Sequence, residues 1–203
     1  MHKHSAHAAA RGLAAAVLSA AVAGCGGGGN PFGNAAQIDN PAIVGGQKLS
    51  FAYFQKCIAP VLLAPLQITQ NGVVSTNTCA ASGCHDNVSG AGGALRIVAG
   101  AQVLDLTDAA NTPDAIRMSD IYKNFYSSQG ATVIGAPAQS RLLTKPRLQG
   151  VLHGGGLIFD SDLDPNVKLI QYWINRPMPA GQDEFSTASA SMFDAVTGAC
   201  NSQ

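Results

Sequence analysis

The sequence predicts a mainly α fold, a small helical domain with long connections. Apolar residues recur at near-helical spacing in three segments, two of which open on a capping residue followed by proline. No stretch alternates apolar and polar residues as a half-buried strand would, and there is no internal repeat at any period. Glycine is abundant, at 23 of 203 residues, while aromatic residues make up only 6%. That balance suits short helices joined by loops around a core completed by something other than side chains.

The chain begins with a basic stretch (His2, Lys3, His4, Arg11) followed by an apolar, alanine-rich run from Leu13 to Ala23. This is the layout of an export signal, and the run is shorter than the roughly 20 apolar residues that a bilayer-spanning helix needs. It ends in Val22-Ala23-Gly24-Cys25, which resembles the lipobox of bacterial lipoproteins. The resemblance implies a signal peptide over residues 1–24, a lipid on Cys25 and, through the glycine-rich stretch behind it, a flexible tether over 25–47. The residue after Cys25 is not Asp, which by the same resemblance favours the outer over the inner membrane. Residues 48–203 are then long enough for a single domain with a real core. With the leader go Lys3 and Arg11, so twelve basic residues become ten against twelve acidic, a formal charge of minus two. The clustered basic surface that nucleic-acid binding requires is missing.

Within the domain, Phe51, Phe54, Ile58 and Leu62 predict a helix over Leu49 to Leu63, kinked or ended by Pro60. A polar stretch from Thr69 to Thr78 leads to a cysteine motif, and the glycine-rich Ser89-Gly90-Ala91-Gly92-Gly93 follows it. Thr112-Pro113 opens the next helix, with Ile116, Ile121, Tyr122, Phe125 and Tyr126 as its apolar face. Loops resume at Gly130, and a short helical piece over Ser140 to Leu143 precedes Lys145-Pro146 and His153-Gly154-Gly155-Gly156. The clearest helix has Asp164 as N-cap and Pro165 at its first position. Leu163, Val167, Ile170 and Ile174 form its stripe with Trp173 beside it, and Arg176-Pro177 stops it. One more short helix is expected around Ala190 to Val196.

An exported protein meets an oxidising compartment, where unpaired thiols are unusual. With Cys25 assigned to lipid and Cys79 and Cys84 to a shared motif, Cys57 and Cys200 remain, and an even remainder points to a disulfide joining the ends of the domain. Two buried apolar thiols are the alternative.

The chemistry is concentrated in Cys79-Ala80-Ala81-Ser82-Gly83-Cys84-His85. A c-type haem is held by two thioether bonds from cysteine sulfurs, and the histidine directly after the second cysteine binds the iron, most often in the spacing CxxCH. Here the spacing is CxxxxCH, a longer form also found among multihaem cytochromes c, and the small residues between the cysteines let the loop bulge. On the residues alone other readings stay open. Cys79 and Cys84 could form a local disulfide in a stapled binding module without haem. Cys79, Cys84, His85 and His153 could form a Cys2His2 zinc site, although adjacent ligands such as Cys84 and His85 rarely reach one tetrahedral metal. Nucleophilic catalysis has little to draw on, since the mature chain keeps two histidines and one glutamate, Glu184, so an enzyme is not expected. Asp160, Asp162 and Asp164 alternate like a calcium loop but lack its glycine and terminal glutamate, and read as a helix cap and a solvated loop.

Taken together, Phe51 to Val61, the cysteine motif, Gly92-Gly93-Ala94-Leu95-Arg96, Ser140-Arg141-Leu142-Leu143-Thr144-Lys145-Pro146, His153-Gly154-Gly155-Gly156 and Trp173-Ile174 resemble the planctomycete-type and related lipoprotein cytochrome c domains of bacteria. The resemblance implies a cytochrome c-like helical domain with long loops around one haem c, attached covalently through Cys79 and Cys84. His85 would be one axial ligand of the iron. The second would lie between the serine-leucine-leucine segment and the tryptophan helix, where His153 sits. Among the methionines Met118, Met178 and Met192, Met178 is the alternative, because Met178-Pro179 is similar to the ligand methionine of many small cytochromes c. Two protein ligands imply single-electron transfer at the cell envelope, on the periplasmic side or at the outer membrane, between redox partner proteins and with the lipid anchor in the membrane. An open sixth position would instead allow gas binding or peroxidase-like chemistry.

Overall fold

A computed structural model describes residues 46–203. The expected signal peptide, Cys25 and all but the last residues of the expected tether lie outside the described residues. Gln47, at the tether's end, donates from Nε2 to the carbonyl of Met178. Among the described residues, no helix is long and apolar enough to cross a membrane.

The first helical stretch comprises α1 (Phe51–Tyr53), a wider π-helical turn (Phe54–Ile58) and α2 (Ala59–Leu63). Pro60 neither ends nor breaks it. A proline ring collides with the carbonyl four residues back and lacks an N–H to give. The extra residue taken up just upstream, where the N–H of Ala59 reaches the Phe54 carbonyl, lets the chain continue. Ser50 caps the start by accepting from the Tyr53 N–H. Phe51, Phe54, Ile58 and Leu62 are all buried, as their spacing predicts.

Contrary to the expectation of no strands, β1 (Leu66–Gln70) and β2 (Val73–Asn77) form an antiparallel hairpin. Its two-residue turn is Asn71-Gly72, with φ of 51° and 78°, the turn that matches the twist of paired strands. Only Ile68 among these residues is buried, so the strands carry no alternation, and the Asn-Gly dipeptide was the available signal.

The helix expected from Thr112 onward is divided into α3 (Pro113–Arg117) and α4 (Asp120–Gln129), because Ser119 caps a second start by accepting from the Tyr122 N–H. Ile116, Ile121 and Phe125 are buried, but Tyr126 turns out to solvent. After a 3-10 turn (Pro137–Gln139) come α5 (Arg141–Thr144) and α6 (Pro165–Asn175). Asp164 caps α6 by accepting from the Asn166 and Val167 N–H groups. Val167, Ile170, Trp173 and Ile174 are buried, whereas Leu163, before the cap, is exposed. The short helix expected over Ala190 to Val196 lies earlier, as a 3-10 segment (Thr187–Met192), and it ends there because Asp194 draws the Val196 and Thr197 N–H groups into a turn.

The core is an aromatic cluster in which Phe125 meets Phe51 edge-on at 5.5 Å and Phe54 at 5.5 Å, while Phe54 meets Trp173 at 5.4 Å. Trp173 is fully buried and its Nε1 donates to the Ser50 carbonyl at 3.0 Å, so α6 is pinned to the start of α1. Cys57 and Cys200 are joined by a disulfide with Cα atoms 6.0 Å apart. The C-terminal segment is further tied down by Tyr53, whose hydroxyl donates to the Asn201 carbonyl, and by the Asn201 N–H to the Met192 carbonyl.

Glu184 is buried at 4% exposure and its Oε1 accepts from the Tyr122 hydroxyl at 2.7 Å and the Arg117 Nε at 3.1 Å. Burial pushes its carboxyl up, but its own N–H, the Tyr122 hydroxyl and the Arg117 guanidinium outweigh this and hold it below the usual range. A carboxylate depressed on folding stabilises fully above its unfolded pKa, and that contribution is lost as pH falls through the folded value. Glu184→Gln is therefore expected to cost about 1–2 kcal/mol at neutral pH, the lower end for a charged hydrogen bond because Arg117 is partly in water. Urea unfolding at pH 7 and pH 3 checks this: the gap between variant and wild type should narrow at the lower pH.

Candidate functional site

The site begins where β2 ends. From Thr78 the chain winds through turns in which Ala81 donates to the Thr78 carbonyl, Cys84 to the Ala81 carbonyl, and His85 to the Cys79 carbonyl at 3.0 Å. Gly83, at φ +82°, reverses the chain inside the motif with open space at its Cβ position, so glycine serves the backbone there rather than packing. The two residues beyond the usual spacing are absorbed in this turn. Cys79 and Cys84 are both free thiols and half-buried, so the local disulfide is not formed. Burial, with Cys84 nearby, pushes the Cys79 thiol up to about 11 and keeps it protonated.

His85 is anchored from behind. Its carbonyl accepts from the N–H of Ile97 at 2.7 Å, and Ile97 is fully buried. The segment around Ile97 is carried by α4: the buried Asn124 amide pairs with both backbone groups of Val98, and the Arg96 N–H donates to the Ser127 hydroxyl at 2.6 Å. This places the Leu95 carbonyl 3.1 Å from His85 Nδ1.

His153 is carried by the hairpin. Thr69 of β1 exchanges both backbone hydrogen bonds with Leu157, at 2.8 and 2.9 Å, and Gln70 donates to the Gly154 carbonyl at 2.6 Å. Gly156, at φ +80°, could not be another residue, since a Cβ there would lie 2.5 Å from the Thr69 carbonyl oxygen. The resulting turn sets the Gly156 carbonyl 2.8 Å from His153 Nδ1.

The two arms bring the imidazoles together, with ring centroids 6.2 Å apart and planes only 14° from parallel. A carbonyl oxygen can only accept, so each Nδ1 carries the proton and each Nε2 keeps its lone pair. This is the arrangement that prepares a histidine for a metal, the backbone carbonyl fixing tautomer and ring direction. Burial, offset in part by the Leu95 carbonyl, lowers the His85 pKa, and Lys145 and Arg96 add to the lowering as nearby cations. The ring is thereby kept neutral and competent as a ligand.

The donor set fits a haem. Two imidazoles bound end-on to one metal through bonds of about 2 Å put their ring centres about 6 Å apart, against the 6.2 Å found here. Among the described residues no three His, Cys, Asp or Glu side chains converge to hold a metal ion, so Cys79, Cys84, His85 and His153 are not assembled as a zinc site. A porphyrin needs only the two axial groups from the protein. Apolar side chains stand in water near both histidines in the chain, Val88 three residues after His85 at 87% exposure and Leu152 directly before His153 at 92%.

Met178 lies elsewhere. It is buried, its N–H donates to the Lys48 carbonyl, and it lines a recess with Pro177, Ser191 and Met192 that includes neither histidine. Met118 is exposed and Met192 shares the recess. Leu95 and Asn124 act on the site without having stood out in the sequence as site residues, since a backbone carbonyl and a buried amide carry no motif.

No protein-family model, no curated protein and no solved structure matches the chain.

Proposed function

We propose that the protein is a monohaem c-type cytochrome of the cell envelope that passes single electrons between redox partner proteins, with a cytochrome c-like fold and a lipid anchor at Cys25. The observation that carries this reading is the pair of near-parallel imidazoles, each oriented through Nδ1 by a backbone carbonyl, one of them on the residue that follows the second of two free thiols. Cys79 and Cys84 would hold the haem by thioether bonds, and His85 and His153 would take the two axial positions. The haem, when bound, supplies the one-electron iron couple. The chain's residues keep His85 neutral and both imidazoles directed, and the apolar Val88 and Leu152 offer surface for the macrocycle to cover. With both axial positions filled by protein there is no place for a substrate on the iron, and the protein is not itself an enzyme.

A reduced-minus-oxidised spectrum of protein made with a cytochrome c maturation system tests the reading, and a low-spin c-type spectrum is expected. The haem should stay with the polypeptide through denaturation and acid-acetone extraction. A Cys79→Ser, Cys84→Ser double variant should lose all covalently bound haem. Full retention by that variant would rule out attachment at these cysteines.

A further inference from the structure

Glycine at two places leaves room for the imidazoles and nothing else. A Cβ on Gly92 would stand 2.5 Å from His85 Cε1 and 2.7 Å from the Cys84 carbonyl oxygen, and closer still to His85 Nδ1. Real Cβ atoms do not come so near, so any side chain at position 92 must rotate the His85 ring or push it off the Leu95 carbonyl. Gly92 is held where it is, its N–H donating to the Cys84 carbonyl at 2.7 Å. On the other arm a Cβ on Gly155 would stand 3.1 Å from His153 Cε1 and 3.4 Å from its Nε2, while at Gly154 a Cβ would meet nothing within 4 Å. Of the three glycines after His153, Gly155 is required by the ring and Gly156 by its backbone conformation and the Thr69 carbonyl, while Gly154 has room for a side chain.

We propose that Gly92 and Gly155 are positioning residues that hold the two axial imidazole planes parallel, and that this alignment sets the electronic ground state of the ferric haem. The inference rests on the cytochrome reading and deepens it. In low-spin ferric iron the unpaired electron occupies one of two orbitals that differ only in direction around the axial bond. Each imidazole mixes with the orbital perpendicular to its own plane. Parallel planes act on the same orbital and separate the pair, whereas perpendicular planes act on one each and leave the pair nearly equal in energy. The 14° between His85 and His153 belongs to the first case.

Electron paramagnetic resonance of the oxidised holoprotein at liquid-helium temperature reads this directly. The wild type should give an ordinary rhombic low-spin signal with three resolved features. A single, strongly anisotropic low-field feature, the mark of crossed planes, would overturn the proposal while leaving the cytochrome reading intact. Absence of any low-spin haem signal in protein that retains its haem would instead defeat the two-histidine reading. Gly155→Ala, with the milder contact, should keep haem attached and low-spin but shift the low-field feature to higher g. Gly154→Ala should leave the spectrum unchanged. Gly92→Ala should move it furthest; if that variant does not fold, the wild-type and Gly155→Ala spectra still decide. A spectrum identical to wild type in Gly155→Ala, or an equal shift in Gly154→Ala, would overturn the positioning role.

Discussion

Replacing His153 with alanine is expected to turn a six-coordinate, low-spin haem into a high-spin one that binds carbon monoxide readily. His85 belongs to the cysteine motif, and His153 is the side chain that the fold brings to it, with ring centroids 6.2 Å apart. On the proposed attachment, its removal would leave the thioether bonds through Cys79 and Cys84 untouched, so the haem should stay bound and the readout isolates the axial position. Met178 is the control. It is buried beside Met192 and held by Lys48, so Met178→Ala should disturb packing but leave the spin state as it was. Absorption spectra with and without carbon monoxide decide between them. An unchanged low-spin spectrum in His153→Ala, with loss of it in Met178→Ala, would show that methionine is the ligand, and the reduction potential would then be higher, since methionine raises it relative to a second imidazole.

The largest effect on stability is expected from the Cys57→Ser, Cys200→Ser double variant. The bridge closes a sequence separation of 143 residues. Confining so long a loop in the unfolded chain is worth about 5 kcal/mol on the chain-entropy account, and about 3–5 kcal/mol as usually realised. Other ties on the same C-terminal segment work in the folded state, including the Tyr53 hydroxyl to Asn201 and Lys56 lying 5.2 Å over the Phe193 ring. The variant should therefore still fold, with a markedly lower denaturation midpoint. Guanidinium unfolding of both proteins, each with haem bound, measures the difference. A midpoint unchanged by the double substitution, or free thiols at both positions in exported wild-type protein, would show that the bridge contributes nothing.

What could be read without a structure was local or was carried by residue chemistry. The α6 helix was legible because capping and the fixed φ of proline act within one turn, and Asp164 does accept from Asn166 and Val167. The cysteine motif and the two histidines of the domain, His85 and His153, were legible because few side chains do that chemistry. The pairing of Cys57 with Cys200 was legible from the count of cysteines. Tertiary structure alone decided the rest. The hairpin is almost wholly exposed and so has no apolar alternation, yet it carries the His153 turn through Thr69 and Leu157. Tyr126 and Leu163 fit their helical stripes by spacing but face water, because the apolar surface that would have covered them is not there. The directions of the two rings depend on the carbonyls of Leu95 and Gly156, which any residue possesses and no motif records. Those carbonyls are delivered by Asn124 on one arm and by the hairpin on the other. Contacts of that range are selected by the packing of the whole domain, and that is why the two histidines could be singled out from the chain while their mutual geometry could not.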